Sequence, residues 1–386
     1  MDTKAHLSWS VVSHINDFRE MQKDWEQFFE KNPLHSPFLA WGWFNAWLTH
    51  LAGSQELRLL VARNLENELQ ILIPLVVKDS SRVRLDQHLT NICGHGPECS
   101  DHLGFLRLPM YDQILHELSC DGLTKCTDKG QRIQLNSLDG KQNLPFLLHR
   151  ALRTQGRKAR LLDQDVCPQV DLPSTWEDFS LTLSRNFRSQ IRRQYKRAVQ
   201  SDELTIRRLE ANQSEEFSTH LIALNRDRMN DTGKRSSLEN AQFRTFLAES
   251  IQYMASKDIA WMDVIENKKG IVGAALNLVH GKSVYYYMGG FDEALTKAGP
   301  GNILFVHVIK RAIAEGYTVY DFLRGAEKYK YRWGATDIPI QQLEIYPAEF
   351  WRGSVASLFD GTRIKIEQIK KAFKASDSVQ KLRRIV

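Results

Sequence analysis

The chain has 386 residues, of which 42% are hydrophobic and 25% charged, with a formal net charge of +6. This is the composition of a globular protein with room for two domains, and it excludes a fibrous or disordered chain. The five cysteines, Cys93, Cys99, Cys120, Cys126 and Cys167, are odd in number and sparse, which argues against a disulfide framework and fits a reducing compartment. No apolar run approaches the roughly 18 residues of a membrane span, and the N-terminus lacks the pattern of a signal sequence, so a cytoplasmic location is expected. The mild positive charge permits phosphorylated partners without indicating a DNA binder.

In chain order, Leu7 to Val12 reads as a strand, and Ile15 to Phe29 as a helix with Phe18, Met21, Trp25, Phe28 and Phe29 at helical spacing. A second helix, Phe38 to Leu51, follows the Asn32-Pro33 break and carries Trp41, Trp43, Phe44 and Trp47. Aromatic residues in that phase are expected to form core. Leu57 to Ala62 and Leu69 to Val77 form a hairpin, and Arg82 to Ile92 is strand-like. The next loop holds Cys93, His95, Cys99 and His102 with two glycines. Its spacing is not that of a closed zinc site, so no metal is expected. The loop reads instead as a wall of a substrate cleft, with Asp101 as a hydrogen-bond or proton acceptor. Tyr111 to Cys120 is predicted helical, Arg132 to Leu135 a strand, Leu144 to Thr154 a helix and Ala159 to Leu162 a strand.

The second half opens with a helix start at Ser174 to Glu177. Leu183 to Gln200 then places Arg185, Arg188, Arg192 and Lys196 on one ridge and Phe187, Ile191, Tyr195 and Ala198 on an adjacent apolar seam. No acidic residue interrupts Arg185 to Gln200, which points to a phosphate-directed face. The element order then repeats: strand Leu204 to Leu209, helices Ser214 to Asn230 and Leu238 to Ser256, and strands Ile259 to Ile265, Ile271 to Val279 and Ser283 to Gly290. A helix from Asn302 to Glu315, strand Tyr317 to Leu323, short helix Ala326 to Arg332 and strand Gln341 to Ile345 complete it. Before Asn302, Gly299-Pro300-Gly301 makes a turn whose unpaired N–H groups and helix dipole favour an anion, a cradle suited to pyrophosphate. Between Tyr317 and Trp333, Asp321 interrupts an apolar strand, and Glu327, Lys328, Lys330 and Arg332 alternate with Tyr329, Tyr331 and Trp333. A carboxylate in such a strand must be paired or used.

This order resembles the GNAT superfamily of acyl-CoA-dependent acyltransferases, and its doubling resembles the tandem arrangement of FemABX-type proteins. Four pieces are similar to the CelD-like (BioF2-like acetyltransferase domain) family linked to bacterial polysaccharide biosynthesis: Ser36-Pro37-Phe38 with Trp43 and Trp47; Arg188 to Arg193; Gly299-Pro300-Gly301; and Asp321 to Gly325 followed by Glu327 and Tyr329 to Trp333. The chain departs from that pattern at Ala326, where an acid is expected, and at Asn225 and Met229, where His and Trp are expected, with Arg226 and Arg228 beside them.

The resemblance implies an α/β (α+β) fold of two tandem GNAT-like domains, residues 1–172 and 173–350, each a mixed, mostly antiparallel sheet flanked by helices, with a basic helical tail over 351–386. It implies an acetyl-CoA-dependent acyltransferase acting on an amine or hydroxyl of a sugar or glycan precursor. Expected catalytic residues are Asp321, Glu327, Lys330 and Tyr329; expected cofactor contacts are Gly299, Pro300, Gly301, Asn302 and Tyr286. Arg188, Arg192, Arg226, Asn277, Arg324 and Asp101 are the expected substrate contacts. Two alternatives stand beside this: a FemX-like transferase using aminoacyl-tRNA, and a catalytically silent module of a polysaccharide synthase. Ile366, Ile369 and Phe373 among lysines and arginines make the tail amphipathic, either docked on the domain or in weak contact with an anionic membrane surface.

Overall fold

A computed structural model describes residues 7–79, 88–92, 94, 100–111, 123, 132–200, 203–231 and 236–346. The amphipathic tail, the helix expected over Tyr111 to Cys120 and most of the Cys93–Cys99 loop lie outside these residues. In the first half, strand β1 (Ser8–Val12) is followed by helices α1 (Ile15–Glu20), α2 (Gln22–Glu30) and α3 (Trp41–His50). Strands β2 (Glu56–Arg63), β3 (Leu69–Asp79), β4 (His88–Ile92), β5 (Leu106–Arg107) and β6 (Arg132–Asp139) follow, then helix α4 (Leu144–Thr154) and strand β7 (Ala159–Asp171). The second half runs through α5 (Trp176–Thr182), α6 (Arg185–Val199), β8 (Thr205–Leu209), α7 (Ser214–Asp231) and α8 (Ala241–Ser256). It continues with β9 (Ala260–Asn267), β10 (Gly270–His280), β11 (Ser283–Phe291), α9 (Pro300–Ala314), β12 (Val319–Asp321), α10 (Lys328–Arg332) and β13 (Thr336–Ile345).

One continuous sheet has the order β1-β2-β3-β4-β6-β13-β7-β12-β11-β10-β9-β8, with β5 added beside β3. Each half contributes an antiparallel run ending in one parallel pair, β4 with β6 and β11 with β12. The last strand of each half crosses over: β13 pairs with β6, β7 pairs with β12, and the two crossing strands pair with each other. The halves are therefore interleaved rather than strung together. Both crossing strands are longer than their local pattern indicates. Prolines interrupt the pattern, with Pro339 opposite Val166 and Asp337 opposite Pro168.

The helix-spaced aromatics are core. Trp25, Trp43 and Trp47 are buried, and Trp43 packs edge-on against Phe246 of α8 and Tyr287 of β11, joining the first half to one face of the second-half sheet. The other face carries a second cluster from α5, α6, α9, β12 and the end of α10, including Phe179, Phe187, Phe305, Tyr320 and Trp333. Adjacent strand residues thus serve different sides: Tyr285 meets the first half and Tyr286 meets α9.

Buried His35 accepts the Arg107 N–H on Nε2 at 3.1 Å. Burial, reinforced by the charge of Arg107, pushes its pKa from 6.5 down to about 3. A folded-state pKa below the unfolded value means that stability present above pH 6.5 is lost as pH falls towards 3, by about 1.4 kcal/mol per pH unit at most. Urea unfolding at pH 7 and pH 5 is expected to show this loss, and His35→Gln is expected to flatten it.

Candidate active site

β11 and β12 pair in parallel only from Ser283–Val319 to Tyr285–Asp321. Beyond that point β12 ends, and the sheet opens along β11. The opening leads to a cleft of about 240 Å³ lined by Tyr286, Gly289, Gly290 and Phe291 of β11, the Gly299–Asn302 turn, and Arg228, Phe305 and Tyr329. The turn closes one end. Gly299 has φ 76° and stands as N-cap of α9 with no side chain capping the helix. The first intrahelical bond runs from Ile303 N–H to Gly299 O at 3.1 Å, so the N–H groups of Gly301 and Asn302 precede the ladder. The Asn302 amide donates to Gln194 Oε1 of α6 at 3.0 Å, which fixes the basic helix beside the turn.

The opposite wall depends on close approach of α7. A Cβ at Gly290 would stand 2.4 Å from the Asn225 backbone nitrogen. Asn225 donates to Gly289 O at 3.0 Å and accepts from Ser236 at 3.0 Å. Asn225 thus ties α7 to β11, and one turn further Arg228 enters the cleft with its guanidinium 4.7 Å from the Phe291 ring centroid. Burial raises the pKa of Tyr286, opposed by the neighbouring charge and hydrogen bond of Arg228. Burial likewise raises Tyr329. Both phenols therefore keep their protons at neutral pH.

Gly299, Pro300, Gly301, Asn302, Tyr286 and Tyr329 are thus brought together. Glu327 lies close enough to influence both phenols, with its side chain 49% exposed and its Oε2 2.9 Å from Lys330 Nζ. The remaining expected residues lie elsewhere. Asp321 is fully buried on the sheet face away from the cleft, where it accepts from Gln169 at 2.5 Å and from the Leu323 N–H at 2.6 Å. Asn277 is buried and accepts the Tyr320 hydroxyl at 2.9 Å. Asp101 and Arg324 bind each other, with Nε to Oδ1 at 2.8 Å. Arg226 is exposed, whereas Arg228, its neighbour two residues on, is in the cleft. Arg188 and Arg192 line a separate groove of about 750 Å³ between α5, α6 and α9, with Trp176, Lys196 and Lys310.

Lys330 is 2% exposed and donates to Leu323 O, Arg324 O and Gly325 O at 2.8, 2.8 and 2.9 Å. Its ammonium has three protons, and these three carbonyls occupy them. It organises the 323–325 loop instead of facing an acceptor. Lys330→Ala is expected to lower the unfolding free energy by about 3 kcal/mol, because three carbonyls lose a charged donor; urea denaturation measures it.

Strand pairing, interleaved halves and the open parallel pair define a tandem GNAT-like fold. Residues 185–331 match the family model described as an acetyltransferase (GNAT) domain. No curated protein matches the sequence. Among solved structures, FemX is similar with a TM-score of 0.60 at 11% identity, covering 87% of this chain and 96% of FemX. A conserved protein of unknown function from Bacteroides thetaiotaomicron VPI-5482 gives 0.53 at 11% identity over 88% of this chain and 100% of that one. The C-terminal DUF2156 domain of an Agrobacterium fabrum protein gives 0.52 at 12% identity, over 85% of this chain and 92% of that one. At such identities the likeness is one of fold.

Proposed function

We propose that the chain is an acyltransferase that draws on an acyl-CoA, with acetyl-CoA as the expected donor, and acylates an amine or hydroxyl of a sugar or glycan precursor. The observation that carries this reading is the cleft at the parting of β11 and β12, closed by the uncapped N-terminus of α9. The residues fit the donor. Gly301 and Asn302 present N–H groups to a diphosphate, and the edge of β11 beyond Tyr285 offers main-chain groups to an extended amide-bearing arm. When bound, the donor supplies a thioester carbonyl as electrophile. Glu327 takes the proton from the attacking amine or hydroxyl, and Tyr329 donates to the developing oxyanion or returns a proton to the departing sulfur. Arg228 orients Tyr286 as a second donor. Asp321, Arg324, Asp101 and Lys330 act as positioning residues that hold the loop carrying Glu327 and Tyr329.

The second reading, transfer from an aminoacyl-tRNA, is favoured by one observation: the groove lined by Arg185, Arg188, Arg192, Lys196 and Lys310 with Trp176 and Tyr195. Thermal unfolding with CoA and with tRNA separates the two. A ligand at 100 times its Kd adds about 2.7 kcal/mol of stability. CoA is expected to raise Tm, and equally in an Arg188→Ala/Arg192→Ala variant, because that groove is separate from the cleft. No shift with CoA, together with tRNA binding that weakens steeply with salt and is lost in this variant, would overturn the acyl-CoA assignment.

A further inference from the structure

Folding brings three chemically distinct side chains together at the seam between the halves. His102 comes from the loop before β5, Cys167 from crossing strand β7 and Asp321 from the end of β12. A ring nitrogen of His102, the Cys167 sulfur and a carboxylate oxygen of Asp321 all lie within 4.8 Å of one another. The three residues are 4%, 0% and 0% exposed. We propose that His102, Cys167 and Asp321 bind a zinc ion that ties the two halves together.

The donor set suits the ion. A thiolate and a carboxylate neutralise a dication, and imidazole completes a borderline-soft set. Ligand atoms on a tetrahedral zinc stand about 3.5 Å apart, so small side-chain rotations bring this group to that spacing. The imidazole is oriented for it. His102 Nδ1 lies 3.4 Å from Asp139 Oδ1, the carboxylate–histidine arrangement that turns the other nitrogen towards a metal. Nε2 is fully buried and 2.8 Å from Asp321 Oδ2, but off the hydrogen-bond direction, so it has no aligned partner. Asp321 is held in turn by Gln169 and the Leu323 N–H. His102 also sits at φ 49°, a conformation that needs support from its surroundings in a residue other than glycine.

A cysteine nucleophile is the obvious alternative use of the same residues. Burial pushes the Cys167 thiol up to about 12, and the adjacent Asp321 opposes a thiolate. A metal removes both obstacles, because it takes the thiol proton's place and is attracted by the carboxylate. An imidazolium paired with two carboxylates beside a neutral thiol is the other alternative, and it involves no metal.

The test uses the full chain, purified without added chelator. Elemental analysis is expected to give about one zinc per chain. After refolding with cobalt(II), a thiolate-to-cobalt charge-transfer band and tetrahedral visible bands are expected. Cys167→Ser is expected to remove the charge-transfer band while circular dichroism still shows a folded protein. Should that variant not fold, the wild-type cobalt spectrum decides alone. Substoichiometric zinc together with no charge-transfer band, or a band unchanged in Cys167→Ser, would overturn the site. Neither readout involves transfer activity or CoA binding, so failure here leaves the proposed reaction standing.

Discussion

Gly301→Val is expected to keep the fold and to lose most of the rise in Tm that CoA produces. A Cβ at Gly301 meets only the Phe291 ring, at 3.7 Å, which is ordinary contact. In the first turn of α9 valine is favoured over glycine by a few tenths of a kcal/mol in helix propensity, and it removes the flexibility of glycine from the unfolded chain. Its two methyl groups stand at the mouth of the turn, where the proposed acyl-CoA reading brings a diphosphate to the N–H groups of residues 301 and 302. CoA affinity is expected to fall about 100-fold, equivalent to about 2.8 kcal/mol. Gly299→Val provides the contrast. Its φ of 76° and a Cβ 2.2 Å from the Gln194 side chain make it costly to the fold itself. Loss of the CoA response with unchanged unliganded Tm at 301, and loss of both at 299, is the expected pattern. A full CoA response in Gly301→Val would place the donor elsewhere.

The cleft was legible because its parts are local. A glycine-proline-glycine turn before an apolar helix, and a strand ending in a charged and aromatic sequel, can be read along the chain, and the structure puts Gly299 to Asn302, Tyr286 and Tyr329 around one opening. Residues whose roles depend on distant partners were not legible. β7 was expected to stop at Leu162 and β13 to begin at Gln341, yet they extend to Asp171 and from Thr336. Their prolines and aspartates erase the alternation that marks a strand, and they are held by each other. The strand expected to reach Leu323 ends at Asp321, because residues 322–325 leave the sheet. Helix phase separates Arg226, the expected substrate contact, from Arg228. Phe217, Leu221 and Asn225 are buried at four-residue spacing, and three or four residues further the same face carries 228 and 229, not 226. His102 as the neighbour of Asp321 has no local signal, since 219 positions separate them in the chain.

Breaking the Asp101–Arg324 pair is expected to cost about 3 kcal/mol of stability and to impair transfer more than donor binding. The four residues after β12 leave the sheet, and each of their N–H groups is met from elsewhere. Phe322 and Gly325 donate to Pro168 O and Val166 O at 2.9 Å each. Leu323 donates to Asp321 at 2.6 Å, and Arg324 to Asp101 at 3.0 Å. Lys330 takes the carbonyls of residues 323 to 325. This complete accounting is what allows Leu323 its φ of 56°. Asp101 contributes doubly, because it also takes the Arg324 guanidinium, whose Nη2 reaches Ser137 Oγ at 2.7 Å. The two side chains are only 11% and 13% exposed, so removing one strands the other's charge. Urea unfolding of Asp101→Asn, Arg324→Met and the double variant is expected to show each single change costing about 3 kcal/mol and the pair costing clearly less than the sum. CoA affinity should change little, because neither residue lines the cleft. Turnover should fall, because Glu327 and Tyr329 are carried by this loop and a displacement of about 1 Å can cost 100-fold in rate. Additive losses in the cycle would show that the loop is held independently of this pair.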